Sequence, residues 1–247
     1  MKTFIRVLLC LLLLVSAAGA QDKTAAKVVD AGAVGLPKPA VDLQTGTYKY
    51  DVKLLLGGQT MSLKVSTVIE DGGSSWKATD TMETPQGTAV DVATIEKSSL
   101  ILDSRKVTQG PVVINVDFSG GKATGKMTFN GQDRVIAADL GGAVFGDAAG
   151  GDQVIATLPL AVGYATTFRN FDIQSGKVKL MQLTVPAEES VTVAAGTFNT
   201  YRVEIASADG SGDKKTLWVA KDSRKVVKAS AVVAAMGGAV MTGELLP

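Results

Sequence analysis

Few side chains in this sequence could perform chemistry, and the most informative fact about them is an absence. Among 247 residues there is no histidine, and Cys10 is the one cysteine. Without histidine, Ser-His-Asp and Cys-His nucleophile activation are excluded, and with cysteine gone from the mature chain so is nearly every zinc, copper and haem site. What remains is carboxylate pairs, Ser-Lys dyads and hard cations held by oxygen. Ser74-Ser75-Trp76-Lys77 has the Ser-x-x-Lys spacing. A β-lactamase-like enzyme needs that serine at a helix N-terminus, with Ser-Asp-Asn and Lys-Thr-Gly elsewhere. Neither tripeptide occurs, and Ser74 follows a Gly-Gly turn that leads into a strand. Ser211-Gly-Asp-Lys214 repeats the spacing in another turn, so the match is cheap.

The other matches fail on a required residue. Gly120-x4-Gly125-Lys126 approximates a phosphate loop, but Met127 replaces the Ser/Thr, and the segment alternates like a strand with no helix behind it. Asp209-Gly-Ser-Gly-Asp213 begins like a calcium loop, yet Lys214 and Ala220 stand where glycine and glutamate are needed. It reads as a polar hairpin turn. Glu188-Glu189 has no pocket context and reads as a solvated pair. No catalytic residue, metal ligand or cofactor is expected, and a non-enzymatic role follows.

The elements that carry these residues have a period of two. Tyr48, Tyr50, Val52, Leu54 and Leu56 alternate with Lys49, Asp51 and Lys53, which is a half-buried strand. Gly57-Gly58 turns it into a second strand carrying Met61, Leu63, Val65, Thr67 and Ile69. Asp71-Gly72-Gly73 leads to Trp76–Thr84, and Pro85-Gln86-Gly87 to Thr88–Glu96. Ile114, Val116 and Phe118 alternate with polar residues, as do Ala123, Gly125, Met127 and Phe129, and Asn130-Gly131 is the strongest two-residue hairpin signal. The Gly- and Ala-rich segment 141–163 interrupts the alternation, with one short helix expected near 152–160, Asp152 as its cap and Pro159 near its end. Strand patterns resume at 164–173, 177–186, 197–207, 214–220, 224–233 and 239–246. The fold class is therefore mainly β: an antiparallel meander of about eleven or twelve strands, curled into a half-open or closed barrel because flat sheets of this width are rare.

The N-terminus reads as an export signal. Lys2 and Arg6 precede the apolar stretch Val7–Val15, and Ser16-Ala-Ala-Gly-Ala20 supplies small residues for cleavage after Ala20. The apolar stretch is shorter than the ~20 residues of a membrane span. Cys10 lies within it rather than at its end, which argues against lipid attachment. The domain organisation expected is a signal peptide over 1–20, a flexible leader over 21–44 and a single β-rich domain over 45–247. Of 25 Lys+Arg residues, removing Lys2 and Arg6 leaves 23 against 24 Asp+Glu. So balanced a charge excludes the electrostatic footprint of a nucleic-acid binder. No later run approaches a membrane span, and the expected location is the periplasm or the exterior.

Aromatic residues make up 5% of the chain and are spread over many strands. Ordinary core packing accounts for most of them. Trp76, Phe129, Tyr201 and Trp218 are the candidates to line an apolar cavity, as in small-molecule carriers.

The C-terminal half carries one family pattern. Val191-Thr-Val-Ala-Ala-Gly196-Thr197-Phe198-Asn199-Thr-Tyr201-Arg202-Val203-Glu204 is followed by Lys215-Thr-Leu217-Trp218-Val219-Ala-Lys-Asp222 and Val226-Val227-Lys228. With Pro159-Leu160-Ala-Val-Gly163 ahead of it, this resembles the exported bacterial family called domain of unknown function 3108. The resemblance covers roughly residues 155–235. It implies a curved antiparallel sheet shaped like the LolA/LolB lipoprotein carriers and a place in the bacterial envelope, and it brings no catalytic residues. The function expected is that of a non-enzymatic envelope protein holding a lipid or other apolar small molecule. The alternative is a filled barrel that engages an envelope protein partner, prompted by the apolar stretch Ala231–Leu246, in which only Glu244 is charged.

Overall fold

The alternating segments build one antiparallel sheet. A computed structural model describes residues 34–247 except 85–86, 174, 211–213 and 234–235. The strands are β1 (Gly46–Leu56), β2 (Gln59–Asp71), β3 (Ser75–Thr84), β4 (Gly87–Glu96), β5 (Leu102–Gln109), β6 (Val112–Ser119), β7 (Lys122–Phe129) and β8 (Gln132–Asp139). After the helix α1 (Gly151–Ala156) follow β9 (Ala165–Asp172), β10 (Lys177–Val193), β11 (Gly196–Ser207), β12 (Lys214–Ala220), β13 (Val226–Val233) and β14 (Ala239–Leu245). The strand count is fourteen rather than eleven or twelve. β5 and β8 supply the difference, because Leu-Asp-Ser-Arg-Lys-Val-Thr-Gln and Gln-Asp-Arg-Val-Ile-Ala-Ala-Asp hold too few apolar residues for clear alternation.

Every neighbouring pair is consecutive in sequence except one, since β1 pairs with β14. The two ends of the meander thus meet inside the sheet, and its free edges are β8 and β9, which are adjacent in sequence. The sheet is half-open, and its seam is spanned by the connection 140–164. The N–H of Leu102 donates to the carbonyl of Val144 at 3.1 Å, and the N–H of Phe145 donates to that of Arg169 at 2.9 Å. One short stretch therefore bridges the start of β5 to β9. Behind it Phe145 packs on Phe168 with ring centroids 4.6 Å apart.

The hairpins follow the turn chemistry. Asn130 and Gly131 sit at φ 50° and 78°, as a type I′ turn requires. In β7, Gly125 has no room for a side chain, because a Cβ would lie 2.0 Å from the carbonyl oxygen of Asn115 on β6.

The helix is shorter than expected and differently capped. It ends at Ala156, before Pro159, and its N-cap is Gly150 at φ 67° with no side-chain bond, while Asp152 lies in the first turn. Gly150 is required there by proximity as well as by φ: a Cβ would sit 2.6 Å from that of Ala78 and 2.8 Å from Cδ1 of Ile69. Val154, Ile155 and Leu158 are fully buried. At about 1.5–3 kcal/mol for each aliphatic side chain, this burial holds the connection against the sheet.

Of the leader expected over 21–44, residues 21–33 lie outside the described residues, as do the signal peptide and its cleavage point. From Val34 onward the chain is held against the domain. Pro37 and Leu43 are buried, Ala40 and Val41 both donate to the carbonyl of Thr157, and the carbonyl of Val34 accepts from Nη1 of Arg169 at 2.9 Å. Leu43 is buried in the core and Leu36 packs partly buried against it.

Candidate functional site

Strands β1–β5 and β12–β14 curve around a cavity of about 330 Å³, closed on one side by residues 148–153. This lies at the lower end of the roughly 300–1,000 Å³ typical of small-molecule sites. The wall is mostly aliphatic, with Val52, Val65, Met82, Val107, Ala231 and Met241 contributing. Small residues open the space: Ala229 stands opposite Gly243 in the β13–β14 register, and Ala231 opposite Met241.

The cavity also has a polar end. Asp80 and Asp91 are direct register partners on β3 and β4, and Thr67 on β2 is the partner of Asp80. Arg105 on β5 grips Asp91 with both prongs, Nε to Oδ1 at 3.0 Å and Nη2 to Oδ2 at 2.6 Å. Burial works against the charge on Arg105, but Asp91 outweighs it and holds the guanidinium more firmly protonated. Across the cavity Lys215 on β12 forms an ion pair with Asp152 on α1. Here too burial opposes the charge, and Asp152 and Asp147 more than compensate, raising the lysine above its usual range.

Asp80 is different. Its oxygens accept from the hydroxyl of Thr67 at 2.5 Å and from the N–H of Gly150 at 3.1 Å, both neutral donors. Burial, reinforced by the charges of Asp152 and Asp91, pushes it up to about 6. Asp147, just behind, is likewise raised by burial. Tyr50 fixes the lid at its side: its hydroxyl donates to the carbonyl of Val226 at 3.0 Å and accepts from Nε2 of Gln153 at 2.9 Å. Those two bonds tie β1, β13 and α1 together. Arg105 and Lys215 thus hold Asp91 and Asp152 in ion pairs, while Asp80 is bonded by neutral donors. Among the described residues no three acidic side chains converge closely enough to hold a metal ion.

None of the four aromatic candidates lines this cavity. Trp76 is buried at the start of β3 with Lys97 Nζ 4.0 Å above its ring. Phe129 ends β7 and is 38% exposed. Tyr201 is half-buried between Lys221 and Arg224, at 5.3 and 5.4 Å from its ring. Trp218 turns the opposite way from buried Leu217 and Val219, donates to Glu189 and lies under Lys228. They are dispersed because each packs locally on a different strand. Lys77 is paired with Glu70 at 2.9 Å on an exposed face, away from any serine nucleophile geometry. Lys126 pairs with Asp133 across the β7–β8 hairpin. Glu188 pairs with Lys221 beside a shallow polar groove. Ser211 and Asp213 lie outside the described residues. The signal for the actual cavity was a polar residue at an inward parity position: Asp80 between Ala78 and Met82, Asp91 between Ala89 and Ala93, and Lys215 ahead of Leu217 and Val219.

No helix among the described residues is long and apolar enough to cross a membrane. The fold is similar to that of several solved structures. A hypothetical lipoprotein, YmcC, from Escherichia coli K12 shares 10% identity over 83% of this chain and 89% of its own, with a TM-score of 0.32. A DUF1329 family protein from Desulfovibrio piger shares 10% over 83% and 85%, with a TM-score of 0.31. A putative outer membrane lipoprotein-sorting protein domain from Vibrio parahaemolyticus shares 8% over 83% and 85%, with a TM-score of 0.36. No curated protein matches the chain. The family model described as "Protein of unknown function (DUF3108)" matches residues 47–244, nearly the whole sheet from β1 to β14, and the chain belongs to that family.

Proposed function

We propose that this protein is a non-enzymatic, exported envelope protein that holds an apolar or lipid-like molecule in the hollow of its half-open sheet. The observation that carries the reading is the cavity of about 330 Å³ with aliphatic walls between β1–β5, β12–β14 and residues 148–153. A well-packed interior would not leave such a space without a use, because protein cores reach crystal-like density. The ion-paired state of Asp91 and Asp152 supports binding over catalysis. The basic, apolar and small-residue sequence of residues 1–20 supports export to the periplasm or the exterior.

The test is a titration of the protein with an apolar fluorophore that brightens on leaving water, compared with Ala231→Phe, which fills the hollow. Saturable binding at one site that Ala231→Phe abolishes supports the reading. Absence of binding to a folded wild-type protein would move the assignment to a structural, partner-binding role.

A further inference from the structure

The charges at the polar end of the cavity do not balance. Three carboxylates line the hollow, Asp80, Asp91 and Asp152, against two cations, Arg105 and Lys215. A fourth carboxylate, Asp147, accepts from Nδ2 of Asn170 and feels the charges of Lys215 and Arg105. Each cation is already committed, Arg105 to Asp91 and Lys215 to Asp152. Asp80 is thus the cavity-lining carboxylate whose hydrogen bonds come from neutral donors, with Arg105 and Lys215 near enough to feel its charge but bonded to other carboxylates. A charge taken out of water is stable only with an opposite charge or a full set of donors. The aliphatic walls begin on the same strand as this carboxylate, since Met82 stands two residues beyond Asp80 and both line the hollow.

Resting on the binding role proposed above, we infer that the ligand is a single-chain amphiphile with a protonated amine head, the chain lying along Met82, Val65 and Met241 and the head beside Asp80. The amine supplies the missing positive charge. An anionic head would have to displace Asp91 from Arg105 or Asp152 from Lys215, leaving a carboxylate unmatched, and would meet the surplus negative charge of the hollow. An uncharged head meets neither penalty nor gain. The hydrogen-bond fit points the same way, because an ammonium is a pure donor and a carboxylate a pure acceptor.

The experiment compares decylamine, decyl maltoside and decyl sulfate, each below its micelle concentration, by calorimetric titration into the wild-type protein and Asp80→Asn at pH 8. Decylamine is expected to bind one per chain and at least about tenfold more tightly than decyl sulfate, with the maltoside between them. Asp80→Asn is expected to erase the preference for the amine over the other two heads. The wild-type order of the three heads needs no variant and tests the inference even if Asp80→Asn fails to fold. Equal or tighter binding of decyl sulfate overturns it, as does an amine preference that survives in folded Asp80→Asn. Binding of the maltoside without an amine preference overturns the head-group inference alone, whereas binding of none of the three overturns the binding role as well.

Discussion

Asp80 and Asp91 face each other directly across β3 and β4, and Arg105 forms its ion pair with Asp91. Like charges in directly opposed positions destabilise a sheet. The pair is kept because Arg105 converts one member into a buried ion pair, and the other is left with Thr67 and the N–H of Gly150. This asymmetry at the polar end of an otherwise aliphatic hollow yields the first prediction.

Asp80 is raised from 3.8 to about 6, so the folded protein takes up its proton more readily than the unfolded chain. Below pH 4 both states are protonated and Asp80 costs nothing. Between pH 4 and 6 the unfolded chain ionises first, and stability falls as pH rises, by on the order of 3 kcal/mol in total at about 1.4 kcal/mol per pH unit. Above pH 6 the penalty is constant. Asp80→Asn is expected to remove this fall, so the difference in unfolding free energy between variant and wild type should move in the variant's favour from pH 4 to 7. Urea denaturation at several pH values measures it, and a difference independent of pH would refute the assignment.

Removing one partner of a buried pair leaves the other charge stranded. Arg105→Met should therefore cost on the order of 3 kcal/mol, more than replacing both partners. The double variant Asp91→Leu with Arg105→Met should recover a large part of that loss. A double-mutant cycle by chemical denaturation separates the two cases, and additive losses would show that the pair carries no coupling.

Gly150 combines a left-handed backbone, φ 67°, with a contact that leaves no space above Ala78 and Ile69. Gly150→Ala should destabilise by about 2–4 kcal/mol, from backbone strain and overpacking together. Gly131→Ala has the strain alone, with nothing within 4 Å of its Cβ, and should cost about 1 kcal/mol. Comparable losses for the two would mean that residues 148–153 are not pressed against the sheet.

The sites of the aromatic residues give a contrast in binding. Ala231→Phe places a ring inside the hollow and should abolish uptake of an apolar ligand without lowering the melting temperature by more than a few degrees. Trp218→Ala removes a ring from the opposite face and should leave uptake unchanged. If Trp218→Ala abolished binding in a folded protein, the ligand would lie on the outer face.

Much of this architecture was legible in the sequence, because alternation and turn residues are local properties. The hairpins at Gly57-Gly58 and Asn130-Gly131 and the strands bearing Tyr50, Leu63 and Val203 stand where the period of two places them. The pairing of β1 with β14 was not legible, since it joins residues such as Tyr50 and Leu245 from opposite ends of the chain. Nor was the path of 140–164, whose glycines and alanines have no period and whose position is set by Phe145, Ile155 and Leu158 packing into the core. The cavity lies apart from the aromatic candidates for a related reason. Aromatic type pointed to Trp76, Phe129, Tyr201 and Trp218, but a cavity inside a β-sheet is made by small residues such as Ala229 and Gly243 and by polar residues at inward positions. Those are unremarkable one at a time and meaningful only once the strands are in register.

The central claim is that the hollow beneath β1–β5 and β12–β14 holds an apolar molecule. Native mass spectrometry of the full-length gene product, purified after export from a bacterial host and then extracted with organic solvent, tests it most directly. The account predicts a stoichiometric lipid-like mass that is released by the solvent and is missing from Ala231→Phe. A clean apo mass that remains apo after incubation with envelope lipids would contradict it.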